Sequence, residues 1–152
     1  MSANKELYIR YQEALTTKDP MALDAAIDAV MAPDFVGHDQ PPGLPAGTAG
    51  LKQFRYRTHA AFPDQRVVVE DMIEEGDRVA GRVSVTMTHL GDFQGIAATG
   101  QGITMEFVDI VRIADGRIAE RWVFLDRGAV LDRLRATGAN ALESHPPNQA
   151  HS

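Results

Sequence analysis

Asp109 interrupts a row of apolar residues, Ile103, Met105, Phe107, Val111 and Ile113, spaced two apart as on one side of a β-strand. Desolvation on such a face raises a carboxyl pKa toward the working range of a base at neutral pH. The alternative is structural, with Asp109 paired to Arg121 or Arg112 and merely closing the sheet. His38, beside Asp39, and His89, in Thr88-His89-Leu90-Gly91, add two imidazoles at strand ends. An imidazole there can move a proton or steady a turn. Asp126 and Glu120 supply further carboxylates on the last alternating segment, whose other side holds Arg121 and Val123. Phe54, Met87, Phe93, Met105 and Phe107 are of the types that line an apolar ligand cavity or fill a core.

Other chemistries find no footing. The chain has no cysteine, so a thiol nucleophile, a thiolate metal site and a disulfide framework are all excluded. Neither His-x-x-x-His nor His-x-His occurs, and no resident metal is expected. There is no Gly-x-Gly-x-x-Gly and no Gly-Lys-Ser/Thr phosphate loop. Ser84 and Thr86 sit within a strand, without the sharp turn an acyl-transfer nucleophile needs. With 15 Lys plus Arg against 21 Asp plus Glu, the net charge of -6 repels phosphate polymers, and no nucleic-acid partner is expected. The first ten residues lack the apolar core of a secretory signal, and no run approaches the roughly 20 apolar residues of a membrane span. The expectation is a cytoplasmic protein with no membrane partner.

The elements that must position these groups fit one domain over residues 1–142, followed by a polar, proline-bearing tail at 143–152. Leu7, Ile9, Tyr11, Ala14 and Leu15 recur near helical spacing, and Asp19-Pro20 starts a second helix reaching Met31. Asp34 to Asp39 reads as a short extended piece, and Gln40 to Gly47 as a proline-rich loop on the rim of a pocket. A third helix runs from Thr48 to Ala61, with Leu51, Phe54, Thr58 and Ala61 on one face. From Asp64 to Phe124 the period becomes two. Val67, Val69, Asp71 and Ile73 share one side of the first strand, and Val79, Gly81, Val83, Val85, Met87 and His89 one side of the second. For the last strand, periodicity leaves open which side faces inward. A short helix over Arg127 to Arg135 completes an α+β domain with helices on one face of a curved, four-strand antiparallel sheet.

Six segments in this order carry a resemblance: Phe35-Val36-Gly37-His38-Asp39, Ala61-Phe62-Pro63-Asp64, Glu75-Gly76-Asp77-Arg78-Val79, Thr88-His89-Leu90-Gly91, Ala98-Thr99-Gly100 and Asp115-Gly116-Arg117-Ile118. Over roughly Lys5 to Leu134 the sequence resembles the SnoaL-like polyketide cyclases of the nuclear transport factor two-like superfamily. The resemblance implies a cone-shaped barrel of a curved, mainly antiparallel sheet with three N-terminal helices on its concave face. It also implies a deep apolar cavity and a homodimer, for which the outer face bearing Arg82, Thr86 and Thr104 is the expected contact. In the ring-closing members an aspartate one residue beyond the position of Trp122 handles the proton of an aldol step; here Val123 stands there.

An isopropyl group accepts no proton, which favours a hydroxylase branch of the family lacking that aspartate. The expected activity is therefore cofactor-free hydroxylation of an anthracycline-like aromatic polyketide, in antibiotic biosynthesis. Dioxygen is the co-substrate, Asp109, His38 or His89 the base, and a separate reductase a possible partner. Phe54, Met87, Phe93, Met105, Phe107, Arg121 and Val123 are the expected substrate contacts. The alternatives are an aldol cyclase using Asp126, Asp109 or Glu120, and a non-catalytic ligand-binding domain with Trp122 and Phe124 at an interface.

Overall fold

The computed structural model describes the backbone of residues 1–143 and the side chains of residues 1–136. The expected tail at 143–152 lies almost wholly outside the described residues. Helix α1 spans Ala3–Leu15, capped by Ser2, whose hydroxyl accepts from the Lys5 amide at 3.1 Å. Helix α2, Pro20–Val30, is capped by the Asp19 carboxylate, with proline in the first turn. Strand β1 is Met31–Gly37, helix α3 Gly47–Ala61, and strands β2 to β5 are Arg66–Glu75, Arg78–Thr88, Gly102–Ala114 and Arg117–Phe124. Helix α4, Arg127–Glu143, runs further than the expected end at Arg135.

The α+β class and the curved, mainly antiparallel sheet hold, and the sheet is an open one of five strands in the order β1-β5-β4-β3-β2, one more than the four-strand antiparallel set. The extended piece after α2 begins at Met31 and pairs parallel to β5. Pro33 is tolerated there because β1 is an edge strand, where a missing N–H breaks no inner ladder bond. Asp115 and Gly116 both take positive φ, 51° and 73°, so the β4–β5 connection is the two-residue turn that an Asp-Gly pair favours.

Two bulges reset the alternation. In β2, Val69 pairs with Val83 and Asp71 with Arg82, leaving Glu70 as the extra residue. Inward-facing residues are consequently Val67, Val69 and Met72, while Ile73 is 73% exposed, which corrects the expected side for Asp71 and Ile73. In β5, Ile118 pairs with Ile113 and Glu120 with Arg112, leaving Ala119 as the extra residue. Ile118 and Arg121, three apart, thereby both lie on the side of the helices. The core fills the space between the inner sheet face and α1, α2 and α3, centred on Tyr8, Tyr11, Ile27, Leu51, Val83 and Val111.

Candidate active site

A cavity of about 360 Å³ opens within this core, inside the range of roughly 300–1,000 Å³ common to small-molecule sites. Its walls come from α1, α3, the inner sheet face, the Gln40-Pro41-Pro42 loop and Val130 and Leu131 of α4. The seven expected substrate contacts, Phe54, Met87, Phe93, Met105, Phe107, Arg121 and Val123, all line it. Phe93 is held by a tight turn in which Gln94 and Gly95 have φ of 53° and 81°, and its ring meets Phe62 edge-on with centroids 5.1 Å apart. The bulge at Ala119 is what turns Arg121 and Val123 into the cavity and leaves Glu120 and Phe124 on the other side.

The four expected proton-transfer residues are dispersed. Asp109 is fully buried but does not itself line the cavity; Gln12 and Arg121 do. Its carboxylate accepts from the Tyr8 hydroxyl, from the Tyr11 hydroxyl at 2.7 Å and from Gln12 Nε2 at 3.2 Å. Gln12 Nε2 also lies 3.1 Å from the Tyr8 oxygen, tying three α1 side chains into one network. Tyr8 can reach so far because its partner strand carries Gly81 opposite Asp109; a Cβ on Gly81 would collide with the Tyr8 ring and hydroxyl. Burial raises the Asp109 pKa, opposed by the nearby Arg121 charge and by the three donors. Burial likewise drives both tyrosines up, so they keep their protons and act as donors.

His38 lies outside the cavity, stacked on Trp122 at 4.7 Å with Nε2 2.7 Å from Glu120 Oε2. Glu120 Oε1 is in turn 2.6 Å from Arg112 Nε. His89 is fully buried beyond Phe62; its Nδ1 accepts from the Thr99 amide at 3.3 Å, while its Nε2 has no hydrogen-bond partner among the described residues. Asp126 accepts from the Ala129 amide at 2.9 Å, fixing the first turn of α4. No group of three or more His, Asp or Glu among the described residues is placed to hold a metal ion. Nor is any of the described helices long and apolar enough to cross a membrane.

The cavity's polar equipment was mostly missed from sequence. Gln12, Asp39, Arg55 and Gln65 all line it. Arg55 gives its Nε to the Leu15 carbonyl at 3.0 Å and its Nη2 to Gln65 Oε1 at 2.6 Å. Burial, with Arg121 close by, lowers its pKa to about 10. Asp39 pairs with Arg127 at 3.1 Å. A usable signal existed in α1, where Tyr8, Tyr11, Gln12 and Leu15 fall at helical spacing and put three polar ends on the core face. Nothing comparable marked Arg55, set among Phe54, Tyr56 and Arg57.

The family model for SnoaL-like polyketide cyclases matches residues 5–134. The chain belongs to that family. Solved structures similar to this chain include IdmH from Streptomyces antibioticus, a proposed polyketide cyclase, 31% identical over 87% of this chain and 98% of that one, with a TM-score of 0.69. AclR from Streptomyces galilaeus, a proposed hydroxylase, is 29% identical over 87% and 97%, also at 0.69. A proposed SnoaL-like cyclase from Jannaschia is 26% identical over 88% and 92%, at 0.76. No match was found among curated proteins. A proposed polyketide cyclase and a proposed hydroxylase thus stand at similar distance from this chain.

Proposed function

We propose that the protein hydroxylates an aromatic polyketide of anthracycline type with dioxygen, using no metal or flavin of its own. The observation that carries this reading is Val123 on the cavity wall, at the position where the resemblance puts the proton-handling aspartate of the ring-closing members. Two of the carboxylates named as its replacements are committed elsewhere, Glu120 to His38 and Arg112 and Asp126 to the start of α4. Asp109 stands behind Gln12, Tyr8 and Tyr11. Aldol closure needs a base within reach of a C–H proton. A phenolic or hydroquinone ring gives up its O–H proton far more readily, and its electron-rich anion can react with dioxygen directly.

Starting from the hydroquinone, one ring C–H becomes C–OH and the hydroquinone becomes the quinone. One oxygen atom enters the product and the other leaves as water. A separate reductase would supply the hydroquinone. The protein's part is to hold the ring against Phe54, Phe93, Met105 and Phe107 and to keep bulk water from the intermediate. The test is product mass spectrometry with purified, metal-stripped protein, a reduced tetracyclic anthracyclinone and labelled dioxygen. A protein-dependent gain of one labelled oxygen is expected; its absence with a range of reductants and ring substitutions would sink the reading.

Aldol cyclisation is the second reading, favoured by one carboxylate, Asp39, that does line the cavity, and by the 31% identity to IdmH. Replacing Asp39 and Asp109 separately by Asn while following closure of a keto-ester polyketide tests it; closure lost in either variant supports this alternative, and absence of protein-dependent closure by the wild type removes it.

A further inference from the structure

Arg121 is the least explained charge in the molecule. Its guanidinium lines the cavity, its Nε is buried with no hydrogen-bond partner, and none of its nitrogens makes a side-chain hydrogen bond or an ion pair among the described residues. Its closest relation is a loose one, the guanidinium carbon 5.8 Å from the centroid of the Tyr11 ring. The carboxylates of Asp109 and Asp39 act on it only through space, Asp109 being tied to Tyr8, Tyr11 and Gln12 and Asp39 to Arg127. A second guanidinium, Arg55, lines the same cavity; its Nε and Nη2 are taken by neutral oxygens, and its Nη1 makes no hydrogen bond among the described residues. Both arginines are half-buried, and a charge drawn away from bulk water with no hydrogen-bonded counter-charge is costly. Two in one apolar chamber, close enough to repel one another, are an arrangement that a bound anion would relieve.

We propose that the cavity takes its aromatic ligand as an anion, with a planar, delocalised oxyanion seated between Arg121 and Arg55. The guanidinium fork matches a flat pair of oxygens and stays charged when desolvated, as a lysine would not. Gln12 and Gln65, on the same walls, can turn an amide toward neutral carbonyl oxygens of the ring system. The apolar remainder of the lining, Phe54, Val85, Met105 and Phe107 among it, excludes water and makes the charge contact worth more than on a surface. The inference rests on the reading of this cavity as an aromatic-polyketide site. Such an oxyanion has two sources, a carboxylate pendant on the rings or an ionised ring hydroxyl.

Binding alone tests it, with neither reductant nor turnover. Four probes are titrated into the wild-type protein at one pH: anthraquinone-2-carboxylate, its methyl ester, alizarin and its dimethyl ether. At least one charged probe should bind about tenfold more tightly than its neutral partner, the worth of one charge-assisted hydrogen bond. Preference confined to the carboxylate pair identifies a pendant carboxylate; preference confined to the alizarin pair, with the red-shifted anion colour on binding, identifies a ring oxyanion. Arg121→Gln should bring each pair within twofold, and Arg55→Gln should weaken the preference while leaving neutral probes bound. Equal affinity within both pairs for the wild type, or failure of both charged probes to bind, overturns the proposal whether or not the variants fold. If the neutral probes still bind and labelled oxygen still enters the product, the aromatic-hydroxylase reading survives that loss. Anion preference without oxygenation would leave this inference standing while the hydroxylase falls.

Discussion

The two sides of β5 treat charge in opposite ways. Outside, Glu120 is clasped by His38 and Arg112, and Arg78 lies 5.0 Å over the Trp122 ring that also stacks on His38. Inside, one residue along, Arg121 faces the cavity with no side-chain hydrogen bond or ion pair among the described residues. The outer charges are half in water, where pairing adds little and costs little. Inner charge is kept where it is expensive. A protein selected for stability alone would do the reverse, and the proposed anion site would account for the contrast.

The largest test of that contrast is Asp109→Ala, since this inner carboxylate is fully partnered and Arg121 is not. Orphaning the Tyr8, Tyr11 and Gln12 donors should cost about 3–5 kcal/mol in denaturant unfolding. The same variant should change the pH profile of stability. Because folding raises the Asp109 pKa, the native state binds that proton at higher pH than the unfolded chain does. Its contribution to stability therefore grows as pH falls from the folded value toward the unfolded value, about 4, and is constant outside that window. Melting temperatures across the acid range should lose this component in Asp109→Ala; an unchanged profile would mean that burial does not govern the group.

Next in size is Gly81→Ala, which should cost about 1–3 kcal/mol by driving Tyr8 off Asp109. In a Tyr8→Phe background the cost should shrink, and strict additivity would show that the clash lies elsewhere. Arg121→Met should change stability by less than about 1 kcal/mol, since it removes a half-buried charge that lacks a bonded partner together with the through-space attraction of Asp39 and Asp109 that holds its pKa up. A clear loss would reveal a structural role. Smallest is Glu120→Ala on the outer face. His38 and then Arg112 hold the Glu120 pKa below its usual value, so its small stabilisation is present above the unfolded pKa and disappears as pH falls through the folded one. Added salt should erase the difference from wild type.

Much of this arrangement was legible in the residues. The inward rows of β3 and β4, with Met87, Met105 and Phe107 among them, and the odd position of Asp109 follow from a period of two, whereas the inward side of Arg121 and Val123 was left open by it. The edge strand β1 was visible only as an extended piece, because its parallel pairing with β5 joins segments some 85 positions apart, beyond the reach of any local pattern. The bulges at Glu70 and Ala119 were hidden for a related reason: an extra residue is defined by what stands opposite it, and no partner is written in the sequence. His38 shows the other limit. Its type and its place at a strand end suit a base equally to a surface clasp, and its contacts with Glu120 and Trp122 become visible only in the fold.

The extra residue at Ala119 works on β5 like a shift of reading frame. Upstream of it Ile118 seals the core; downstream, the odd-numbered Arg121 and Val123 furnish the chamber and the even-numbered Glu120, Trp122 and Phe124 are left to the outside. Were Ala119 instead taken into the ladder as an ordinary paired residue, strict alternation from Ile118 would offer the cavity an acid, an indole and a phenyl ring in place of a guanidinium and an isopropyl group, whereas deleting it would leave Arg121 and Val123 where they are. The bulge, rather than the residue type in it, thus selects which of two complete sets of side chains, both already encoded in the strand, faces the cavity.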